Sequence, residues 1–450
     1  MVTHSLVSVD LETKTIDPRV EAVFAVCSAL KQEGLSYVFL RGFEGLPQEL
    51  ENDADLLFST GERGKAIKLV NVALSQLGWK EVQQLEFSPI SVTYALGEEI
   101  GSVKLVIDYF EHIEWHYLPY MRSGSVLEHA VIVDGLSVPG TADRCFMNVV
   151  NRLLYSSEVR EKHRSLYEAL ESSKERERFA SLSHASFGKD VAAQFIQLVE
   201  QGHWDDLEGR ADSFRRAVKS QAWRHRFADS FSGLWRYWRR VLKRMISPPG
   251  VFIVFEGADG VGKSSVIRKA MTALPEVLCV KEPVMFHWKP RRKAFGNSLE
   301  PNSAVDPRSS EKRGKLLSLC YLAYHWLGFW AGWLTGIYPR LIRNQLVVGD
   351  RYIYDMYFDP ERFRLDVPEW VLDLLVKCLP RPHLLISLLG SPEIIRARKQ
   401  ELSLEEISHY QDKLEEFGRG KRWCLTLDAN ASLEEVVQEL VSKVREATVK

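Results

Sequence analysis

The sequence predicts an α/β protein built from three regions, and three observations support this prediction. A glycine-rich loop near residue 260 separates an apolar strand from a helix. Short apolar strands recur between residues 37 and 109, and a long charged stretch with helical patterns follows them. At 450 residues the chain is too long for one ordinary core. We predict an N-terminal α+β domain over residues 1–142, a helical connecting region over 143–246 and a C-terminal domain over 250–450, with a parallel sheet between helices.

The N-terminal region begins with a predicted helix over residues 18–33. Asp17 can cap this helix, Pro18 suits its first turn and Gly34 can end it. Residues rich in β-branched and aromatic side chains then predict strands at 37–40, 55–58 and 103–109. Helix and strands together account for the predicted α+β class.

The connecting region ends in a basic and aromatic segment between Ala211 and Ile246. Its basic residues far outnumber its two acidic ones, Asp212 and Asp229. The aromatic residues among them are Trp223, Phe227, Phe231, Trp235 and Trp238. The favoured interpretation is a solvated helix that packs its aromatic side chains on a neighbouring domain. A helix on an anionic membrane surface is the second interpretation, and nucleic-acid binding is the least favoured because no recognition fold accompanies the segment.

The glycine-rich loop carries the most specific signal in the chain. Residues Gly257-Ala-Asp-Gly-Val-Gly262-Lys263-Ser264 match the pattern G-x-x-x-x-G-K-[ST] of a P-loop. Glycines let the backbone approach phosphate closely, and N–H groups at a helix N-terminus supply a positive field. We expect Lys263 to bridge the outer phosphates of a nucleotide and Ser264 to bind Mg²⁺. The flanking strand and helix disfavour a chance lysine in a glycine turn, and the helix is predicted to stop before Pro275.

Two later strands of the C-terminal region lead into charged residues. The strand that begins at Gln345 ends in Asp350, which can hold the ligand shell of Mg²⁺, and Arg351 next to it can neutralise an acceptor. The helix that follows the strand at residues 382–389 carries Arg396, Arg398 and Lys399. Such side chains could close over a transferring phosphoryl group and screen its charge. Ordinary solvent-facing arginines are the alternative.

Several motifs of the C-terminal region occur together in one known family. They are Phe255-Glu-Gly-Ala-Asp-Gly-Val-Gly-Lys-Ser264, Asp350-Arg351-Tyr352, the Pro392-Glu393 turn, the Arg396–Lys399 cluster and Leu427-Asp-Ala-Asn. On these residues the region of about 250–450 resembles the thymidylate kinase family. The resemblance implies a P-loop kinase domain that uses Mg²⁺ and ATP. ATP would be bound by Gly257, Ala258, Asp259, Gly260, Val261, Gly262, Lys263, Ser264 and Ser265.

The same resemblance implies roles for further side chains. Lys263 would stabilise the transferred group, assisted by Arg396 and Arg398. Asp350 would act near the metal ion and the acceptor, and Arg351 would grip the acceptor. Asp259 and Glu282 would face the acceptor pocket.

The C-terminal region also departs from the thymidylate kinase pattern. The family's R-E-P-G-G stretch is replaced by Lys281-Glu-Pro-Val-Met-Phe-His-Trp-Lys-Pro-Arg291-Arg292, and Ser387-Leu-Leu-Gly390 lacks an expected aspartate. Three stretches are instead similar to divergent thymidylate-kinase-like proteins associated with bacterial surface-polysaccharide loci. They are Phe286-His-Trp-Lys-Pro290, Tyr352-Ile-Tyr-Asp-Met-Tyr-Phe-Asp-Pro-Glu-Arg362 and Ala397-Arg-Lys-Gln-Glu401. That similarity implies a saccharide or lipid-linked glycan as the acceptor, with a nucleoside monophosphate as the alternative.

In the N-terminal region, Asn52-Asp53-Ala-Asp55 places two carboxylates two residues apart. Residues i and i+2 of a strand project to the same side, so both could bind one divalent cation. With Gly42 before them and Asp108 at the end of another apolar strand, they resemble the polymerase-β-like nucleotidyltransferase superfamily over about residues 20–115. This resemblance implies that Asp53, Asp55 and Asp108 hold metal ions. Solvated loop and strand-end carboxylates are the alternative, and Gly42-Phe43 replaces the usual G-[GS] pair.

Composition and charge limit the remaining function classes. The net charge of −1 gives no overall attraction to nucleic acid. Six scattered cysteines without a C-x-x-C pair suggest neither disulfides nor zinc, and the polar N-terminus favours a cytoplasmic protein. The uncharged stretch from Leu316 to Pro339 is long enough for a membrane span, but a buried helix or helix pair is favoured because polar residues and glycines interrupt it.

The leading hypothesis is a kinase that moves the γ-phosphoryl group of ATP to a small molecule or glycan, with nucleotidyl transfer as an added activity. The first alternative places the chemistry in the N-terminal region and leaves nucleotide binding to the kinase region. The second is a nucleotide-sensing protein whose basic helices recruit a partner or the inner face of the membrane. Homo-oligomerisation stays open.

Overall fold

The computed structural model describes residues 17–51, 53–86, 90–96, 103–290 and 312–448. It forms two compact units, Met1–Arg240 and Val241–Lys450. Asn52, Arg291 and Arg292 of the motifs above lie outside the described residues. The finer division of the chain into three domains stays a prediction.

The N-terminal unit combines nine strands with helices. The strands are β1 Tyr37–Phe39, β2 Ala54–Phe58, β3 Trp79–Glu86, β4 Ile90–Leu96, β5 Lys104–Phe110, β6 His112–Trp115, β7 Leu118–Arg122, β8 Val131–Val133 and β9 Leu136–Val138. The helices are α1 Pro18–Gln32, α2 Arg63–Gln76, α3 Ser123–Glu128, α4 Thr141–Ser156, α5 Glu161–Glu168, α6 Ser173–Phe187, α7 Lys189–Glu200, α8 Trp204–Gly209, α9 Ala211–His225 and α10 Phe227–Ile246. Helix α10 contains the boundary between the two units. These counts and bounds refer to the described part of the chain.

The main N-terminal sheet is mixed, with the strand order β1-β2-β5-β4-β3. β2 and β5 run parallel, and the other neighbours are antiparallel. As predicted, Asp17 caps α1, since its Oδ1 accepts a hydrogen bond from the Arg19 backbone N–H at 2.9 Å. Helices α1 and α2 pack together beside this sheet, and α4, α6 and α9 enclose a second, aromatic core around Phe146. The nucleotidyltransferase-like fold of this unit stays a prediction.

The C-terminal unit contains five strands among the residues described. They are β10 Val251–Glu256, β11 Lys281–His287, β12 Gln345–Asp350, β13 Leu384–Leu389 and β14 Cys424–Asp428. The helices are α11 Lys263–Val277, α12 Lys315–Gly332, α13 Tyr338–Ile342, α14 Tyr354–Phe358, α15 Glu369–Lys377, α16 Pro392–Arg398, α17 Leu404–Gly418 and α18 Leu433–Thr448, with a π-helical segment at Trp333–Ile337.

The five C-terminal strands form one parallel sheet in the order β11-β12-β10-β13-β14. Its central strands are almost continuously buried and apolar, as expected where helices cover both faces. Helices α11 and α18 pack on each other, and α17 packs against α14, α16 and the strands β13 and β14. The predicted parallel sheet is therefore confirmed in this unit. After β10 the chain first forms β11 and β12 on one side of that strand, and then β13 and β14 on the other side. Ligands of open parallel sheets bind where the strand order reverses in this way, so the carboxyl end of β10 is the expected ligand crevice.

Two predictions about C-terminal helices are wrong. Helix α11 does not stop before Pro275 but continues to Val277, because a proline in the last turn removes only one intrahelical hydrogen bond. Helix α12 is not wholly buried. It buries one stripe, which includes Leu322 and Phe329, while Leu316 is 78% exposed on the other side. Among the described residues, no helix has the length and apolar character that a membrane span requires.

The basic and aromatic segment also differs from the favoured interpretation. It consists of two helices, α9 and α10, separated at Arg226. Phe227, Phe231, Trp235 and Trp238 of α10 are all exposed rather than packed. Their spacing of three or four residues places them on one face of the helix.

Candidate active site

The glycine-rich loop connects the carboxyl end of β10 to the first residue of α11. Gly260 and Gly262 have φ angles of +95° and +104°, which residues with a Cβ rarely adopt. A Cβ at position 260 would lie 3.0 Å from the Ile395 carbonyl oxygen and 2.9 Å from the Lys399 Cβ. The end of α16 therefore packs directly against this loop. Glycine at position 260 is required both by the backbone angle and by this close approach.

Lys263 is the first residue of α11, and its side chain is buried within the loop. Its ammonium group donates hydrogen bonds to the carbonyl oxygens of Gly257 at 2.6 Å and Ala258 at 3.0 Å. Burial, together with the charge of Arg351, lowers the pKa of Lys263 below its ordinary value. Ser264 and Ser265 are exposed on the first turn of the helix. The helix N-terminus, one ammonium group and two hydroxyl groups are thus gathered at one place.

Asp350 is the last residue of β12 and lies beside this loop. It is 4% exposed, and its Oδ2 accepts a hydrogen bond from His287 Nδ1 at 3.1 Å. Its Oδ1 is buried without a hydrogen-bond partner among the described residues. Although burial opposes ionisation, the hydrogen bond from His287 and the charge of Lys263 hold the pKa of Asp350 below its usual range. The site therefore contains an ionised carboxylate with one unused oxygen.

Arg351 is buried and forms the centre of an ion-pair network. Its φ of +68° is unusual for a residue with a side chain, and its backbone N–H donates to the Phe255 carbonyl oxygen at 3.0 Å. Its guanidinium group donates to Asp259 Oδ1 at 2.6 Å and also pairs with Asp355. Arg362 contacts Oδ2 of both carboxylates, at 3.3 Å for Asp259 and 3.6 Å for Asp355.

This network fixes the charge of Asp259. Burial raises the pKa of Asp259, but the positive charges of Arg351 and Lys263 outweigh it and hold the pKa well below the usual range. Asp259 is consequently ionised, and both of its oxygens already contact arginines. The predicted acceptor contact from Arg351 would have to share that guanidinium with two carboxylates.

Glu256, Asp355 and Arg362 belong to the site but were not predicted. Glu256 Oε1 accepts from the Tyr352 backbone N–H at 3.0 Å, and its Oε2 accepts from the Tyr410 hydroxyl at 3.3 Å. Burial and the nearby charge of Asp355 raise the pKa of Glu256. A charged residue at the end of an apolar strand was the available signal for Glu256. Asp355 lies four residues after Arg351, a helical spacing that could have indicated the pair.

The structure does not place Glu282 beside Asp350, and its predicted contact with the acceptor stays a prediction. β11 pairs Lys281 with Gln345 at one end of the sheet and His287 with Asp350 at the other. Glu282 is therefore near the amino end of the strand, about 16 Å from the carboxyl end at roughly 3.3 Å per residue. His287 occupies the corresponding place beside Asp350. The motif alone did not indicate this position, because β11 continues beyond the Glu-Pro pair.

The segment after β11 adds a buried cation to an aromatic wall. Lys289 Nζ lies 3.5 Å from His325 Nδ1 and 4.7 Å from the centre of the Tyr324 ring, both on α12. Trp288 stacks on Phe363 with ring centres 5.5 Å apart. The uncharged aromatic stretch of the sequence thus supplies one wall at the carboxyl end of β11.

Arg396 and Arg398 are exposed on α16, whose end contacts the loop at Gly260. Among the described residues neither arginine forms an ion pair. Their predicted closure over a phosphoryl group stays a prediction.

The structure brings only two of the three predicted metal ligands of the N-terminal unit together, and metal binding there stays a prediction. The parallel pairing of β2 and β5 does bring Asp55 opposite Asp108. However, the guanidinium group of Arg41 forms an ion pair with Asp55 and also interacts electrostatically with Asp108. Asp53 is exposed just before β2, and no cluster of three metal ligands occurs among the described residues. A fixed positive charge therefore stands where the three carboxylates were expected to hold metal ions.

The C-terminal site has the donor groups that ATP and Mg²⁺ require. Positive-φ glycines and the start of α11 present backbone N–H groups for phosphate. Asp350, with its unused buried oxygen, and the hydroxyl of Ser264 are suitable ligands for Mg²⁺.

One family model matches this region of the chain. Residues 255–440 match the family model "Thymidylate kinase". A crystal structure of thymidylate kinase from Ehrlichia chaffeensis is similar at 16% identity and a TM-score of 0.31, covering 43% of this chain and 98% of that one. No curated protein matches the chain. The match of residues 255–440 supports phosphotransfer of the nucleotide-kinase type in this part of the chain.

Proposed function

We propose that the C-terminal unit transfers the γ-phosphoryl group of ATP to a hydroxyl group of a small molecule or glycan, with the help of Mg²⁺. One observation carries this proposal. The loop lysine, an ionised aspartate with a free oxygen and a paired arginine converge at the carboxyl end of β10 and β12. Open parallel sheets bind their ligands at this edge.

Each residue has a role that follows from its contacts. The loop N–H groups bind and orient the phosphates, and the Lys263 ammonium, already aimed into the loop, stabilises charge on the transferred group. Asp350 and Ser264 would hold Mg²⁺, which supplies further screening of phosphate charge. The hydrogen bond from His287 keeps the Asp350 carboxylate oriented.

The ion pairs favour a hydroxyl over a phosphate as the acceptor group. A phosphorylated acceptor would need cations with unmet charge, but Arg351 and Arg362 already contact Asp259 and Asp355. A hydroxyl acceptor is uncharged, so its binding needs no unpaired cation, and its proton can leave to water once the phosphoryl group has been transferred. A nucleoside monophosphate is the second candidate acceptor, because residues 255–440 match the thymidylate kinase family.

An acceptor panel tests the proposal directly. The full chain is incubated with Mg²⁺ and γ-labelled ATP against free sugars, polyols, glycans and nucleoside monophosphates. We expect a hydroxyl-bearing acceptor to be labelled and Lys263→Ala to lower its rate by at least about 100-fold. Lys269→Ala, an exposed lysine of the same helix, serves as the matched control and should leave the rate within about twofold.

The same panel contains the results that would overturn the proposal. Labelling of nucleoside monophosphates alone would reject the hydroxyl acceptor but keep the kinase. ATP binding without labelling of any acceptor would favour the nucleotide-sensing alternative. Equal rates for Lys263→Ala and Lys269→Ala would remove the kinase assignment itself.

We also propose that α10 contacts an anionic membrane surface. Its exposed apolar side chains recur every three or four residues along 20 residues. They are Phe227, Phe231, Trp235, Trp238, Leu242, Met245 and Ile246. Arg239 and Lys243 are exposed beside this stripe. Basic groups next to bulky apolar and Trp side chains suit the interface of a bilayer with anionic lipids.

Sedimentation with vesicles tests the membrane contact. The wild-type chain should bind vesicles that contain phosphatidylserine more strongly than vesicles of phosphatidylcholine alone. The double variant Trp235→Ser, Trp238→Ser should bind at least about fivefold less, since two interfacial aromatic side chains are lost. Trp370→Ser, which removes an equally exposed tryptophan of α15, is the control. Equal binding of both variants, or no binding by the wild type, would contradict the proposal.

A further inference from the structure

The N-terminal unit contains a cavity of about 280 Å³ near the end of β5. Its walls come from five places, namely the residues after β1, the start of α2, the β5–β6 segment, one face of α4 and the helix α10. Its charged residues are Arg41, Arg63, Arg152, Arg236 and Arg240, opposed by Asp108, Glu111 and Glu114.

Ion pairs account for some of these arginines but not for all. Arg236 contacts Glu114 at 2.9 Å, and Arg63 contacts Glu111 at 3.4 Å. Arg41 pairs with Asp55, as described above. Arg152 and Arg240 form no ion pair with any residue that the structure describes. The cavity therefore carries an excess of positive charge.

Arg240 is the most informative of these residues. It is only 5% exposed, and its Nε and Nη2 atoms are buried without hydrogen-bond partners among the described residues. Arg152 Nε and His112 Nδ1 are buried without partners in the same part of the molecule. Leaving charged donors unpaired in a protein interior is costly, so such groups normally have a partner. An anion in the cavity would supply acceptor oxygens to several of these donors at once.

The shape of a guanidinium group indicates which anions fit. Its planar fork matches the oxygens of phosphate and forms two parallel hydrogen bonds with them. The rest of the cavity wall also contains uncharged polar groups. Asn148, Asn151 and Tyr155 follow one another along a single face of α4 and line the cavity. The amide groups of Asn148 and Asn151 suit the hydroxyl groups of a polyol or sugar, whereas the Tyr155 hydroxyl already hydrogen-bonds to the main chain at Glu114 and His116.

We propose that this cavity binds a small phosphate ester, with the phosphate held by Arg240 and Arg152 and the organic part against α4. A volume of about 280 Å³ suits a single phosphorylated sugar better than a nucleoside triphosphate. The proposal concerns binding alone and does not rest on the kinase activity proposed for the other unit.

Isothermal titration calorimetry of the full chain tests this site. The probes are inorganic phosphate, glucose 1-phosphate and ATP, which separate a bare anion, a sugar phosphate and a nucleotide. The variants are Arg240→Gln and Arg152→Gln. Arg239→Gln is the matched control, because it removes the same charge from the neighbouring, exposed position of α10. Lys263→Ala identifies binding that belongs to the P-loop.

We expect glucose 1-phosphate to bind the wild-type chain and to lose at least about tenfold in affinity in Arg240→Gln. Affinity should stay within about twofold in Arg239→Gln and Lys263→Ala. Thermal unfolding without ligand distinguishes binding from a structural role. Arg240→Gln should not lower the melting temperature, since its buried charge is unpaired.

Four results would overturn the proposal. They are the absence of glucose 1-phosphate binding, equal affinities for Arg240→Gln and Arg239→Gln, and binding that only Lys263→Ala removes. The fourth is an Arg240→Gln chain that unfolds at a lower temperature and binds with unchanged affinity when folded. Tighter binding of inorganic phosphate than of the sugar phosphate would reject the role assigned to α4.

Discussion

The two units both place aspartates on parallel strands but surround them differently. In the C-terminal unit, Asp350 receives a hydrogen bond through Oδ2 and keeps Oδ1 unused beside the loop. In the N-terminal unit, Asp55 lies opposite Asp108, but Arg41 pairs with it. The first arrangement suits a cation, whereas the second replaces the cation with a protein side chain. Aspartates on adjacent parallel strands therefore do not by themselves define a metal site.

Arginine shows the reverse difference between the units. Arg351 is buried in the C-terminal unit and fully paired with Asp259 and Asp355. Arg240 is similarly buried in the N-terminal unit, and two of its nitrogen atoms have no partner among the described residues. The paired arginine orders a loop, whereas the unpaired one has donors available for a ligand. This contrast can be tested by removing one partner at a time.

The largest effect is expected for Asp355→Asn in the C-terminal unit. This change leaves Arg351 without its closest carboxylate in a fully buried place, and breaking such a pair costs about 3–5 kcal/mol. Denaturant unfolding of the full chain, followed by a probe of the C-terminal unit, measures the loss. Asp373→Asn, which removes an exposed pair with Lys377 on α15, should leave the stability nearly unchanged, because exposed ion pairs contribute little. Similar losses for both variants would show that burial does not make the Arg351 network important.

A smaller effect is expected for Arg41→Gln in the N-terminal unit. Burial raises the pKa of Asp55 even with Arg41 present, and removing Arg41 should raise it further. A carboxyl group whose folded pKa is raised stabilises the protein most when it is protonated, and this contribution is lost as the pH rises through its pKa values. The variant should therefore be close to wild type in acid and about 1–3 kcal/mol less stable near neutral pH.

Unfolding curves of Arg41→Gln and wild type at several pH values measure this difference. Arg144→Gln is a useful comparison, since the same charge is removed from α4 at a position with no ion pair to a described carboxylate. A penalty that is independent of pH in Arg41→Gln would contradict the assigned pairing with Asp55.

Local patterns were sufficient to predict the phosphate loop and the strands that frame it. Strand, glycines, lysine and helix are contiguous in sequence, so their spacing alone brings Lys263 and Ser264 together. The position of Asp350 followed from the rule that parallel strands end at one edge of the sheet. By contrast, His287 could be placed beside Asp350 only once the register of β11 was known.

Long-range pairing also explains what the sequence did not reveal in the N-terminal unit. Arg41 and Asp55 are separated by a turn whose geometry is not encoded in a recognisable motif. Arg240 reaches the cavity from a helix more than a hundred residues beyond β5. Its basic segment predicted a charged helix but not which arginine turns inward. Burial and missing partners are properties of the fold, and they identified that residue.

The smallest effect concerns the protonation of Lys263, the lysine of the phosphate loop. Its buried ammonium group has hydrogen-bond partners, whereas two nitrogen atoms of Arg240 in the N-terminal cavity have none among the described residues. Burial lowers the pKa of Lys263, so in the free protein its proton leaves at a lower pH than that of an ordinary lysine. A bound phosphate anion favours the protonated form, so ATP binding should take up at most about one proton above the lowered pKa and almost none well below it. Calorimetry in two buffers with different ionisation enthalpies, at pH 7 and at pH 9, measures this uptake. Lys263→Met should abolish the pH 9 uptake while Lys269→Met retains it, and an uptake that persists in Lys263→Met would assign the proton to another group.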